Sequence, residues 1–259
     1  YSVKPGFSFN DETGNVSMAA RTLFLEETVA RGLLMPYVVP SFAHKKIEVL
    51  QNWLSPKPLS HCSVNISTLP IANRKIFVYA GNMGIAQGLE VVLDLAKRLI
   101  YRNDIGFLFV GRGSSSDRLK QLADIYNLNN VLFFDEIDPD EIPELYAQCI
   151  AGMVILDPKH KSHNIPGKFI TYMQNGLPVL AIINQGNDLA SIIRTEKVGL
   201  VCETRSIEEI EKLTENLLDQ IDTDKFLSTR CVRLFNSEFS AQGAVKQIVN
   251  ALTEQIDNK

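Results

Sequence analysis

From residue 75 onward, short runs of β-branched and aromatic residues alternate with stretches whose apolar positions recur at helical spacing. This alternation predicts βα units on a parallel sheet. Six strands are expected at 76–80, 106–110, 131–134, 150–156, 178–182 and 200–202, and their near-continuous apolar character predicts burial on both faces. Between them, Leu89, Val92, Leu95, Ala96, Leu99 and Ile100 mark one helical stripe, and shorter stripes cover 116–126, 139–148, 167–174, 188–194 and 207–218. Two more helices close the chain, the last aligning Val245, Ile248, Val249, Leu252 and Ile256. The fold class is therefore α/β, a doubly wound Rossmann-like parallel sheet of about six strands.

Upstream the pattern changes. Residues 17–34 read as a helix and Lys46-Ile47-Glu48-Val49-Leu50 as a lone strand, too little for a second Rossmann-like domain. Residues 50–74 have no sustained period and carry Pro56, Pro58 and Pro70, so they read as a connector.

Composition narrows the class. With 45% hydrophobic and 22% charged residues, the 259-residue chain has the balance of a water-soluble globular protein. A net charge of -4 offers no basic stripe for neutralising phosphates, which argues against nucleic acid as a partner. Cys62, Cys149, Cys202 and Cys231 form no CxxC pair, and Cys149 and Cys202 lie in apolar runs as expected of core residues. The sequons Asn15-Val16-Ser17 and Asn65-Ile66-Ser67 would matter only in a secreted chain. No signal peptide is evident and the apolar runs fall far short of a bilayer span, so a reducing cytoplasm is the expected setting. The chain opens on Tyr1 rather than Met, as expected of a fragment.

In open parallel sheets ligands bind beyond the carboxyl ends of the strands, which directs attention to three loops. Gly81-Asn82-Met83-Gly84-Ile85-Ala86-Gln87-Gly88 follows a strand and opens a helix, where glycines let backbone approach a phosphate; a tight βα turn without a ligand explains it nearly as well. Gly111-Arg112-Gly113-Ser114 offers an arginine fork for a phosphate and hydroxyls to cap a helix, or simply a capped turn with a solvated arginine. Residues 157–169 form the most basic stretch of an acidic protein and run into a helix begun by Pro166, Gly167 and Lys168. Amides, helix dipole and cationic side chains there all favour an anion, and the position at a strand's carboxyl end favours function over an ordinary charged loop. Asp138-Pro139-Asp140 imitates a metal-binding Asp-x-Asp, but reads as an N-cap followed by Pro at the first helical position. No metal-ligand cluster and no Ser-His-Asp order is present to support a hydrolase.

Taken together, Tyr79-Ala80-Gly81-Asn82-Met83-Gly84 with Gln87-Gly88-Leu89, then Val110-Gly111-Arg112-Gly113, then Pro166-Gly167-Lys168 with Tyr172-Met173, Gly176 and Pro178-Val179 resemble glycosyltransferase family four in order and spacing. The likeness extends over about 47–251, and more narrowly to bacterial members that build O-antigen, capsule and exopolysaccharide, including colanic-acid and N-acetylfucosamine transferases. The resemblance implies a GT-B enzyme that retains anomeric configuration and uses no metal or other cofactor. Its donor would be a nucleotide sugar, usually UDP-linked, bound in the C-terminal domain. A hexosyl or N-acetylhexosaminyl group would pass to a lipid-linked oligosaccharide or polysaccharide, in the cytoplasm or peripherally on the inner membrane face. On this likeness residues 1–50 are the tail of the N-terminal acceptor domain, 51–74 the interdomain linker, 75–240 the nucleotide-sugar-binding domain and 241–259 a C-terminal helix. The acceptor half and its catalytic residues are expected upstream of Tyr1, so this chain alone is expected to transfer little or no sugar.

By the same likeness Gly81, Asn82, Gly84 and Gln87 line the cleft facing sugar and diphosphate, and Pro166, Gly167 and Lys168 hold the diphosphate. Glu136 and Ile137 lie by the base, and Gly113 and Ser114, beside Arg112, flank the nucleotide. The family's paired glutamates fall on His163 and Thr171, and its loop arginine and lysine on Ile85 and Gln87. Gln87 can donate a hydrogen bond but cannot neutralise charge. Two other functions are weighed against the transferase: a catalytically silent GT-B module that binds a nucleotide sugar or a partner protein, and a UDP-sugar 2-epimerase, for which no catalytic carboxylates and histidine can be placed.

Overall fold

The structure is a computed structural model that describes residues 22–26, 46–56, 58, 61–158 and 165–253. They fall into two compact units, one of the described residues up to 55 together with 237–253, the other from 56 to 236.

In the first unit, β1 (Thr22–Glu26) and β2 (Lys46–Leu50) pair in parallel, Thr22 opposite Lys46 and Glu26 opposite Leu50. Residues 22–26 are thus a strand where a helix is expected over 17–34, and the strand at 46–50 is not alone; the rest of 17–34 lies outside the described residues. A short run such as Thr22-Leu23-Phe24-Leu25 fits either period, and a partner strand some twenty residues away decides between them. In the closing helix of this unit, Ala241–Thr253, Ala244 and Ala251 are buried while Val245 and Val249 of the expected stripe are exposed; Ile256 lies outside the described residues.

The second unit holds a six-stranded parallel sheet. Its strands are β3 (Lys75–Ala80), β4 (Ile105–Val110), β5 (Val131–Phe134), β6 (Ala151–Ile155), β7 (Val179–Ile182) and β8 (Gly199–Cys202), in the order β5-β4-β3-β6-β7-β8. Each expected strand lies within one or two residues of its place. Ile76, Phe77, Val78, Tyr79, Phe107, Leu108 and Phe109 are all sealed from solvent, as strands covered on both faces must be. The chain steps outward from β3 to β5, then returns across the middle to β6. This order reversal opens a crevice at the carboxyl ends of β3 and β6.

The helices are α1 (Glu90–Arg98), α2 (Ser116–Ile125), α3 (Ile142–Ala147), α4 (Gly167–Gln174), α5 (Asp188–Glu196), α6 (Ile207–Thr223) and α7 (Leu227–Leu234). Helices α1, α2 and α6 pack together, and α4, α5 and α7 form another group. Sequence chemistry fixes most of their ends. Glu90 sits in the first turn of α1 and Lys97 and Arg98 in its last, matching the helix dipole. Asn187 caps α5 and Ser206 caps α6 through side-chain oxygens. Helix α3 begins three residues later than expected: Asp138 accepts from the Asp140 amide at 2.8 Å, capping a turn rather than the helix, and Pro143 occupies the first helical turn. Ser115 at the start of α2 has helical backbone angles and makes no capping bond, so the expected hydroxyl cap is not formed there.

Residues 61–74, part of the expected connector, pack on α3. The Ile66 amide donates to Oε1 of Gln148 at 2.8 Å, and Nε2 of Gln148 donates to the Val64 carbonyl at 3.1 Å. Cys62, Val64, Ile66 and Ile71 are buried beneath. All four cysteines are free; Cys202 is fully buried, while Cys149 is only half-buried and donates to the Leu145 carbonyl. Among the described residues no helix is long and apolar enough to cross a membrane, and no group of three or more His, Cys, Asp and Glu could hold a metal ion.

Candidate functional site

The first two glycine-bearing loops and the helix start that follows the third come together at the crevice, and the two loops are built against each other. Gly81 donates to the Val110 carbonyl at 2.9 Å, Met83 to that of Arg112 at 2.8 Å, and Ser115 to that of Met83 at 2.9 Å. A Cβ on Gly111 would fall 2.1 Å from the Gly81 oxygen, and one on Gly113 2.4 Å from the Met83 carbonyl. These glycines therefore serve the close approach of two backbones. Arg112 is exposed, its Nε 2.7 Å from Oε2 of Glu136, itself exposed after β5, with half-buried Ile137 following. Ser114 is exposed beside them.

Within the first loop the side chains bind one another. Oε1 of Gln87 accepts from the Gly84 amide at 3.0 Å and from Nδ2 of Asn82 at 3.4 Å, so this side chain satisfies the amide that precedes the 3-10 turn Ile85–Gln87. Gln87 thus shapes the loop itself. The buried Tyr79 hydroxyl donates to the Asn82 carbonyl at 2.7 Å, fixing the loop from below.

Helix α4 carries the third loop's contribution. Tyr172, fully buried, places its hydroxyl 3.1 and 3.3 Å from the carbonyl oxygens of Val78 and Met153, on the two strands that flank the switch. Gly152 of β6 makes room for that ring, since a Cβ there would lie 2.5 Å from it. One turn earlier on the same face stands Lys168. Its ammonium lies 4.5 Å from the centroid of the Tyr79 ring, and its Cε 3.7 Å from where a Gly81 Cβ would be. Half-buried, and paired with no acidic side chain among the described residues, the amine is held down to about 8 by loss of water.

The start of α4 differs from α5 and α6. Pro166 occupies its cap position without a side-chain bond, the first turn holds no acid, and a Cβ on exposed Gly167 would touch nothing within 4 Å. Thr171 donates its hydroxyl to the Gly167 carbonyl at 3.1 Å, so that proton is spent on the helix. His163 lies outside the described residues. The structure therefore groups Gly81, Asn82, Gly84, Gln87 and Lys168 at the switch, with Arg112 and Glu136 as an exposed pair over β4 and β5.

Sequence reasoning missed Arg205. Its guanidinium reaches from the end of β8 to the carbonyls of Leu156 and Gly88. Thr204-Arg205-Ser206 has the look of any solvated loop, and no periodicity marks a residue whose partners lie in loops distant in sequence.

The family model described as Glycosyl transferases group 1 matches residues 66–229. Over 185 residues the chain is 26% identical to the putative colanic acid biosynthesis glycosyl transferase WcaI of Escherichia coli strain K12, a match covering 68% of this chain and 42% of that protein. The match thus takes in less than half of that relative's length. Among solved structures, sucrose-phosphate synthase of Thermosynechococcus elongatus superposes with a TM-score of 0.68 at 16% identity, over 92% of this chain and 59% of that one. HepE of Anabaena in complex with UDP gives 0.61 at 16% identity, over 80% of this chain and 57% of that one. At such identities these structures speak for the fold alone, which is that of GT-B glycosyltransferases.

Proposed function

The chain belongs to the group 1 glycosyltransferases, and from that premise we propose that residues 56–236 bind a nucleotide sugar, UDP-linked, as the donor part of a retaining transferase. The observation that carries this reading is Lys168: a half-buried ammonium with no acidic partner among the described residues, aimed at a glycine loop at the switch of a parallel sheet. A cation left without a counter-charge in such a place is matched by an anion that arrives with the ligand. Lys168 would hold the diphosphate and offset the charge that grows on the leaving nucleoside diphosphate as the sugar bond breaks. The amides at the start of α4 would add to it.

The donor needs no metal on this reading, since Lys168 and the helix supply the positive charge. The proposed donor is a UDP-hexose or UDP-N-acetylhexosamine and the proposed acceptor a lipid-linked glycan at the cytoplasmic membrane face, a reading in keeping with the motif resemblance and with WcaI, which is named for colanic acid biosynthesis. Lysine-directed acylation tests the assignment. UDP, and not uridine, should slow modification of Lys168; equal labelling with and without UDP would overturn it.

A further inference from the structure

Arg205 lies outside every glycine motif, yet the segments that follow three strands meet at it. It follows β8 in a left-handed backbone conformation, φ 57°, uncommon for a residue with a side chain and kept only where surroundings enforce it. Nη1 donates to the Leu156 carbonyl at 2.9 Å and Nη2 to the Gly88 carbonyl at 2.8 Å. Leu156 follows β6, and Gly88, at φ 58°, closes the loop after β3. A Cβ on Gly88 would lie 3.0 Å from Oδ2 of Asp157 and 3.2 Å from Nη2 of Arg205, so carboxylate, guanidinium and glycine backbone share one small space. The same two loops are joined again where the Asp157 amide donates to the Ala86 carbonyl at 3.0 Å.

We propose that Arg205 is a positioning residue for the donor site. Its planar fork ties the loop after β3 to the end of β6 and so holds the crevice in which Gly81 faces Lys168. A lysine ammonium keeps the charge but lacks the rigid planar fork whose two nitrogens are placed on these carbonyls. Arg205 acts through backbone and needs no contact with the donor. The inference rests on the nucleotide-sugar reading of the crevice.

The test is titration of the 259-residue chain, Arg205→Lys and Arg205→Ala with UDP, GDP and ADP in turn. It is run where circular dichroism shows each protein folded, with amide hydrogen exchange on the same samples. Nucleotide affinity should fall roughly tenfold in Arg205→Lys, which keeps the charge but loses the fork, and further in Arg205→Ala. Exchange should quicken at the amides of 86–88 and 157 while β4 and β7 stay protected. Should Arg205→Ala fail to fold, Arg205→Lys decides alone. Unchanged affinity in folded variants overturns the proposal and leaves the donor reading standing, as does faster exchange throughout the sheet, which would make Arg205 a general stabiliser. No nucleotide binding by the unsubstituted chain overturns both.

Discussion

The Lys168 ammonium stands 4.5 Å from the centre of the Tyr79 ring, so among the described residues this cation of the candidate site meets an aromatic face instead of a carboxylate. The ring gives a desolvated cation some attraction but no negative charge, which leaves the amine able to receive a phosphate oxygen. Tyr79 is itself fixed, its hydroxyl on the Asn82 carbonyl.

Lys168→Ala should weaken UDP binding by about 1.5 to 3 kcal/mol, the worth of a charged hydrogen bond. The fold should survive, because no ion pair among the described residues depends on this amine. Calorimetry and thermal unfolding on the same variant check both halves, and unchanged affinity would remove Lys168 from the site.

The pH dependence has a fixed sign. Burial lowers the free amine to about 8, favouring the neutral form, whereas a bound diphosphate favours the ammonium. UDP affinity should therefore fall as pH rises from about 7 to about 9.5, with proton uptake on binding above about 8. Without ligand the sign reverses for stability: the cost of burying the charged form is felt below about 8 and fades as pH rises toward the ordinary lysine value. Lys168→Ala should flatten the affinity profile, read by titration across that range.

Gly111→Ala and Gly167→Ala should part company. The first would drive a Cβ to 2.1 Å from the Gly81 oxygen at φ 139° and should cost about 1 to 3 kcal/mol or more in denaturant unfolding. The second enters open space at the start of a helix and should be neutral or stabilising by about 0.5 kcal/mol. Equal effects would contradict the packing described for the two loops.

Arg112→Ala should cost less than about 1 kcal/mol in stability, since its pair with Glu136 is solvent-exposed. Its effect on UDP affinity should be smaller than that of Lys168→Ala. A larger loss would mean that Arg112 leaves Glu136 for the diphosphate when ligand binds.

The six strands were legible because each is a short, nearly unbroken apolar run, the simplest signal a buried parallel strand can give. The position of Lys168 at the start of a helix beside the first glycine loop was legible too, because Pro166, Gly167 and Lys168 follow a strand-end loop. What escaped depends on partners distant in sequence. The glycines at 111 and 113 look like phosphate-loop glycines, yet each is required by the backbone of the first loop. The strand at 22–26 needs β2 to decide its period. Asp138 has the composition of a helix cap, but the turn before Ile142 takes up its side chain.

The most direct test is calorimetric titration of the chain with UDP, GDP and ADP in the presence of a chelator. The account predicts preferential, metal-independent binding of UDP that Lys168→Ala weakens. No binding of any of the three at millimolar nucleotide would contradict it and make the crevice a silent one.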